Sequence, residues 1–241
     1  MLKQENQLTH RGGSRERTHK KPAELVALKP NQVWSWDISY LPGPIRGKFF
    51  YLYFFLDIFS RKIFGFDVFE QESAEYAAEV VSRAYVAENI RAGEVSLHSD
   101  NGGPMKGSTM LLTLQNLGIM PSFSRPSVSN DNPFSESNFK TVKYCPFYPK
   151  KPFASLEEAY AWVVKFVLWY NHVHQHSGIN FVTPNIRHKG VDSIVLEKRS
   201  RLYEIARQKN PNRWSKKIRN WSVAGKVFLN PKHSKKEAAK K

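Results

Sequence analysis

Residues 49–59, FFYLYFFLDIF, are apolar or aromatic at every position but Asp57, so an extended chain built from them has no face suited to water. The run is far shorter than the ~20 residues a membrane-crossing helix needs, and its aromatic content favours a strand. A strand without a polar face has to be covered on both sides. That requires a sheet sandwiched between helices, with this strand expected at its centre.

The flanking sequence agrees. QVWSWDISYL precedes the run across the turn PGPIRGK, and KIFGFDVFE follows it after SRK, giving three consecutive strands, read as antiparallel. SAEYAAEVVSRAYVAEN opens on Ser73, a good N-cap, and sets Tyr76, Val80, Val81 and Ala84 at helical spacing. EVSLHSD reads as a buried strand ending at Asp100; the turn NGGPMKGS leads to a helix, TMLLTLQNLG, stopped by Gly118, and then to a strand in IMPSFSRP. NDNPFSESNFKTVKY is a helix with Asn132 as cap and Pro133 at its first position, and SLEEAYAWVVKFVLWYNHVH is the longest helix. The order β-β-β-α-β-α-β-α-α makes this an α/β protein with a mixed five-stranded sheet flanked by helices. No internal repeat interrupts it.

Charge divides the chain into three. Residues 1–30 carry 7 Lys and Arg against 3 Asp and Glu, residues 31–185 carry 13 against 14, and residues 186–241 carry 17 against 4. A balanced core between a basic linker and a basic C-terminal extension is the charge pattern of a protein that meets phosphate backbones. The final KHSKKEAAKK reads equally well as a solvated tail. With no apolar segment of spanning length and no signal-peptide core at its start, the chain is expected to be soluble and cytoplasmic, with no membrane partner. Cys145 is its single cysteine, which excludes an internal disulfide framework and a Cys-based zinc finger.

Three acids interrupt core-building patterns: Asp37 inside the first strand, Asp100 at the end of the fourth, and Glu136 early in a helix. If the first and fourth strands are neighbours, Asp37 and Asp100 meet, and the helix can present Glu136 to both. Clustered carboxylates repel unless a cation is supplied, and carboxylate oxygens suit Mg²⁺. On pattern alone, a solvated strand-end Asp and a helix-capping Glu remain open.

WSWDISY, FLDIFSRKIFGF, LHSDNGGPM, SRPSVSNDNPFSESNFKTVKY and WYNHVHQHSGINFVTP together resemble the integrase core of bacterial insertion-sequence transposases of the OrfB type, relatives of retroviral integrases. The resemblance runs from Asn31 to Pro184 and continues more weakly through LEKRSRLYEIARQ and RWSKKIRNW. It implies an RNase H-like fold and an Asp, Asp, Glu catalytic set with 35 residues between the last two, the interval separating Asp100 from Glu136 here. Asp37, Asp100 and Glu136 then become ligands of two Mg²⁺ ions, with Mn²⁺ able to substitute. The implied activity is cleavage and transfer of DNA strands at insertion-element ends, by a homo-oligomer on double-stranded DNA at the nucleoid, with no small-molecule substrate.

The same resemblance makes Lys140, Lys143 and Arg125 DNA contacts, adds Trp214 and Trp221 as stacking groups in the basic extension, and sets Asn132 and His98 behind the acids, Asn132 either orienting a water or capping its helix. Asp57 is expected to pair with Arg61, and Asp131 to be a loop acid. His172, His174 and His176 suggest zinc, but no second ligand pair accompanies them. Family members carry a helix-turn-helix region before the core; QENQLTHRGGSR resembles its trailing end. Ser39 stands where Thr is usual. An RNase H-type nuclease and a catalytically silent, DNA-binding remnant are the rival readings.

Overall fold

The computed structural model describes residues 21–126, 128–215 and 217–232. QENQLTHRGGSR and all of KHSKKEAAKK but its first residue lie outside the described residues.

A five-stranded sheet forms the centre. Its strands are β2 (Val33–Pro42), β3 (Phe49–Asp57), β4 (Ile63–Phe69), β5 (Ser96–Ser99) and β6 (Met120–Phe123), in the spatial order β4-β3-β2-β5-β6. β2, β3 and β4 pair antiparallel, whereas β2 with β5 and β5 with β6 pair parallel. The middle strand is therefore β2 and not the apolar β3. β3 is nevertheless covered on both faces, because Phe54 and Leu56 enter one core and Tyr53 and Phe55 the other.

Helices α1 (Ala74–Ala87), α2 (Gly103–Lys106) and α3 (Ser108–Leu117) cover the face bearing Trp34, Trp36 and Phe55. Ser73 caps α1 by accepting from the backbone N–H groups of Glu75 and Tyr76, and Gly118 ends α3 at a φ of 66°. Helices α4 (Pro133–Lys143) and α5 (Leu156–His172) cover the opposite face, where Phe54 stacks between Phe139 and Phe166. Cys145 is buried in this second core.

The rest of the chain folds back onto the sheet domain. After α6 (Pro184–His188) and α7 (Asp192–Lys209), strand β7 (Val227–Leu229) pairs antiparallel with β1 (Leu25–Ala27), so residues 25–27 are a strand and not a linker. Arg187 fastens this return. Almost fully buried, it donates to the Asp192 carboxylate at 2.6 Å and to the carbonyls of Phe59, Ala224 and Gly225, joining core, helix and returning strand. These bonds offset the desolvation of its buried guanidinium.

Candidate active site

Asp37 lies on the β2 face that meets α4. Alternation puts Ser35 on that face too, and there it donates to Asn132 Oδ1 at 2.6 Å while accepting from the Ser135 hydroxyl at 2.7 Å. Asn132 Nδ2 donates to the Trp36 carbonyl at 3.3 Å. Asn132 thus does not cap α4; Pro133 occupies the first turn, as its missing N–H permits, and the Asn132 amide is spent on the strand. Since Trp36 adjoins Asp37, and Asn132 stands one helical turn before Glu136, these buried bonds fix the position of Glu136 along β2.

Asp100 follows directly on β5, beside β2. Its Oδ1 accepts from Ser124 Oγ at 2.8 Å. That hydroxyl lies 3.2 Å from His98 Nε2, and His98 Nδ1 lies 3.0 Å from Ser122 Oγ. With Ser124 donating to Asp100, the His98 proton belongs on Nε2 and Ser122 donates to Nδ1. Burial lowers the pKa of His98, so the ring stays neutral and holds Ser124 in place.

The Asp37 carboxyl is pushed up to about 7, first by burial and then by the charge of Asp100, with smaller contributions from Glu136 and Glu72 outlasting the opposing Ile38 N–H. Burial is the main cause, and the like charge of Asp100 adds to it. Among the described residues no three His, Cys, Asp or Glu side chains converge tightly enough to hold one ion together. The three candidate donors are all carboxylates, and carboxylate oxygen is the ligand that hard divalent cations such as Mg²⁺ take.

Glu136, Lys140 and Lys143 are exposed on α4, the two lysines one and two turns beyond the acid. Arg125 is held by Asp131: its Nε and Nη2 donate to the Asp131 carboxylate at 2.9 and 3.0 Å, which ties two of the three nitrogens of the guanidinium expected to meet phosphate. Trp221 is also displaced from its expected stacking role, its ring 9% exposed and packed with Ile179, Val182 and Leu196. Trp214 stays half-buried, edge-on to Tyr203. Asp57 does not pair with Arg61; its oxygens accept from the Asn31 N–H and from the N–H and hydroxyl of Ser60. The histidines of NHVHQHSG have no metal-binding arrangement among the described residues.

Three supporting residues escaped the sequence reading. Ser35 is polar between the buried Trp34 and Trp36 of β2, a signal open to reading, whereas Ser124 lies just past β6 among half-buried residues and gives none. Arg187 had none, since one arginine in a basic stretch looks like any other.

A mixed five-stranded sheet with Asp37 on its middle strand, Asp100 just past the strand paired parallel to it and Glu136 on a crossing helix has the RNase H-like fold. The structure is similar to a chain of the simian T-cell lymphotropic virus intasome in complex with PP2A regulatory subunit B56 gamma, with a TM-score of 0.55 at 18% identity, over 71% of this chain and 59% of that one. Residues 27–129 and 117–184 match two family models, each described as an integrase core domain, and the chain belongs to that family. A transposase for insertion sequence element IS904 of Lactococcus lactis is 30% identical over 66% of this chain and 61% of its own length. A transposase for insertion sequence IS3A of Escherichia coli K12 is 28% identical over 50% of this chain and 41% of its own length. The chain thus spans less than two thirds of these curated relatives.

Proposed function

We propose that the chain is the catalytic core of an insertion-sequence transposase, cutting DNA strands at element ends and joining the released 3′-hydroxyl to a target phosphodiester. The observation that carries this reading is the integrase-core match over residues 27–129, on whose frame Asp37 in β2 neighbours β5, the strand that Asp100 follows. Asp37, Asp100 and Glu136 would hold two divalent cations, Mg²⁺ or Mn²⁺ in its place. The chemistry such ions supply is activation of the attacking hydroxyl and neutralisation of charge on the leaving oxygen.

The chain's own residues prepare that chemistry. Ser124 and the Asn132 cluster hold Asp100 and Glu136 in register with Asp37, and Lys140 and Lys143 offer the DNA backbone two cations on the helix that bears Glu136. The basic extension with Trp214 adds phosphate affinity, and a homo-oligomer on double-stranded DNA would align two ends. No described helix is long and apolar enough to cross a membrane, in keeping with work at the nucleoid.

Nicking of supercoiled plasmid with Mg²⁺ or Mn²⁺, wild type against Glu136→Gln, is the test. Metal-dependent nicking lost in the variant is expected; equal nicking by both would overturn the assignment of Glu136.

A further inference from the structure

Glu136, Lys140 and Tyr144 follow one another at i, i+4 and i+8, so they form one row along α4, with Tyr144 just past its last turn. The row leads from the candidate active site to a pocket of about 450 Å³ whose walls include Lys140, Thr141, Tyr144, Pro146, Trp169 and His174. Tyr144 is 79% exposed, a ring left uncovered at the pocket wall. Trp169 is half-buried and fixed by its neighbours: the Phe147 ring meets it edge-on at 5.4 Å, and the His174 ring lies at 5.0 Å. Burial lowers the pKa of His174, so at neutral pH that ring adds no charge.

The charge around this pocket has one sign. The stretches that build it, residues 137–156 and 159–191, contain no Asp or Glu, while Lys140 stands on its wall, Lys143 follows on the same helix and Lys165 lies 5.1 Å over the Phe147 ring that backs Trp169. Aromatic faces among cations suit a polyanion that carries flat rings, which is a nucleic acid strand. A duplex has no ring face to offer, because each base is covered by its neighbours; a base of an unpaired strand has its faces free. An apolar protein segment would fill the pocket but leave the cations unused. Eight residues separate Glu136 from Tyr144, about 12 Å along the helix, so a strand engaged at Glu136 reaches the pocket within a few nucleotides.

We propose that this pocket takes one unpaired base of the DNA strand engaged at Glu136, stacked against Tyr144 and Trp169 with Lys140 on its phosphate. The inference rests on the transposase reading above and adds to it a place where a strand separated from its complement is held.

The test is binding of the full chain, with Ca²⁺ in place of Mg²⁺, to a short single-stranded oligonucleotide carrying 2-aminopurine and to a duplex of the same sequence. Quenching of the 2-aminopurine by stacking is expected with wild type and with Tyr144→Phe. Tyr144→Ala should abolish it and weaken the single strand about tenfold, with the duplex changed by less than about twofold. Trp169→Leu, shown to be folded by circular dichroism, should also lose the quenching. Lys140→Ala should flatten the salt dependence of single-strand binding by about 0.7 in log K per log salt, and Tyr144→Ala should leave that slope unchanged. Quenching retained in Tyr144→Ala, or duplex binding weakened as much as single-strand binding, would overturn the proposal; an unchanged slope in Lys140→Ala would overturn the part given to Lys140. Nicking decides the underlying reading separately. Nicking lost in Glu136→Gln beside an unquenched wild type would remove the pocket and leave the active site. Quenching that needs Tyr144, beside nicking that survives in Glu136→Gln, would keep the base site and overturn its tie to Glu136.

Discussion

The two sides of α4 handle buried polar groups in opposite ways. Toward β2, Asn132 and Ser135 are fully engaged with Ser35 and the Trp36 carbonyl, and the result is a fixed register between Glu136 and Asp37. Toward a cavity that Arg61, Tyr170 and His176 also line, Asn138 has no partner for either amide atom among the described residues. The first arrangement uses polar groups to hold geometry, and the second leaves them unpaired. Only the hydrogen-bond partners of a helix amide inside a core distinguish the two.

Several measurements would break or sharpen this contrast. The largest effect belongs to the engaged side: Asn132→Ala leaves the Trp36 carbonyl without its partner and removes the acceptor of Ser35, and should destabilise the fold by about 3 kcal/mol in chemical denaturation. An unchanged midpoint would show that the cluster does not hold α4.

The next concerns pH on the cavity side. Burial, then the charges of Arg61 and His174, lower His176 to about 4 from an ordinary 6.5. The unfolded chain therefore binds this proton more readily than the native one. The stability that goes with a neutral His176 is complete above pH 6.5 and is lost as the pH falls toward 4. Between pH 7 and 5 the loss should be about 2 kcal/mol, absent from the difference when His176→Gln is measured alongside. A variant with the same slope as wild type would place the titration elsewhere.

A smaller effect is expected at Asp100. Ser124→Ala removes the donor to Oδ1 and should weaken Mn²⁺ binding about tenfold, read by calorimetry, with little change in melting temperature. The smallest returns to α4: Asn138→Leu removes two unpaired atoms and should change stability by less than about 1 kcal/mol, or raise it. A loss as large as that of Asn132→Ala would erase the contrast.

Much of the molecule is legible in local pattern. The alternation in QVWSWDISYL, the caps at Ser73 and Gly118 and the position of Pro133 give elements where the structure has them. The apolar FFYLYFFLDIF is covered on both faces as its composition demands. Its place in the sheet is another matter. Two-sided burial requires only helices above and below, and the middle position fell to β2 because α1 carries the chain across to lay β5 parallel beside it. Trp221 and Arg125 show the same limit, since an aromatic among cations and an arginine before a loop look free until Ile179 or Asp131 is found against them.

By itself, then, the sequence determined the strands of the central sheet and the longer helices packed on it, because period and capping are properties of neighbours along the chain. It also determined which acids break those patterns. The tertiary structure alone decided that the strands carrying Asp37 and leading to Asp100 are adjacent, that the Asn132 side chain serves β2 instead of its own helix, and that Arg61 and Asn138 line one cavity. Those outcomes rest on which distant groups satisfy one another, and hydrogen-bond satisfaction across a core depends on contacts that no local stretch of sequence contains.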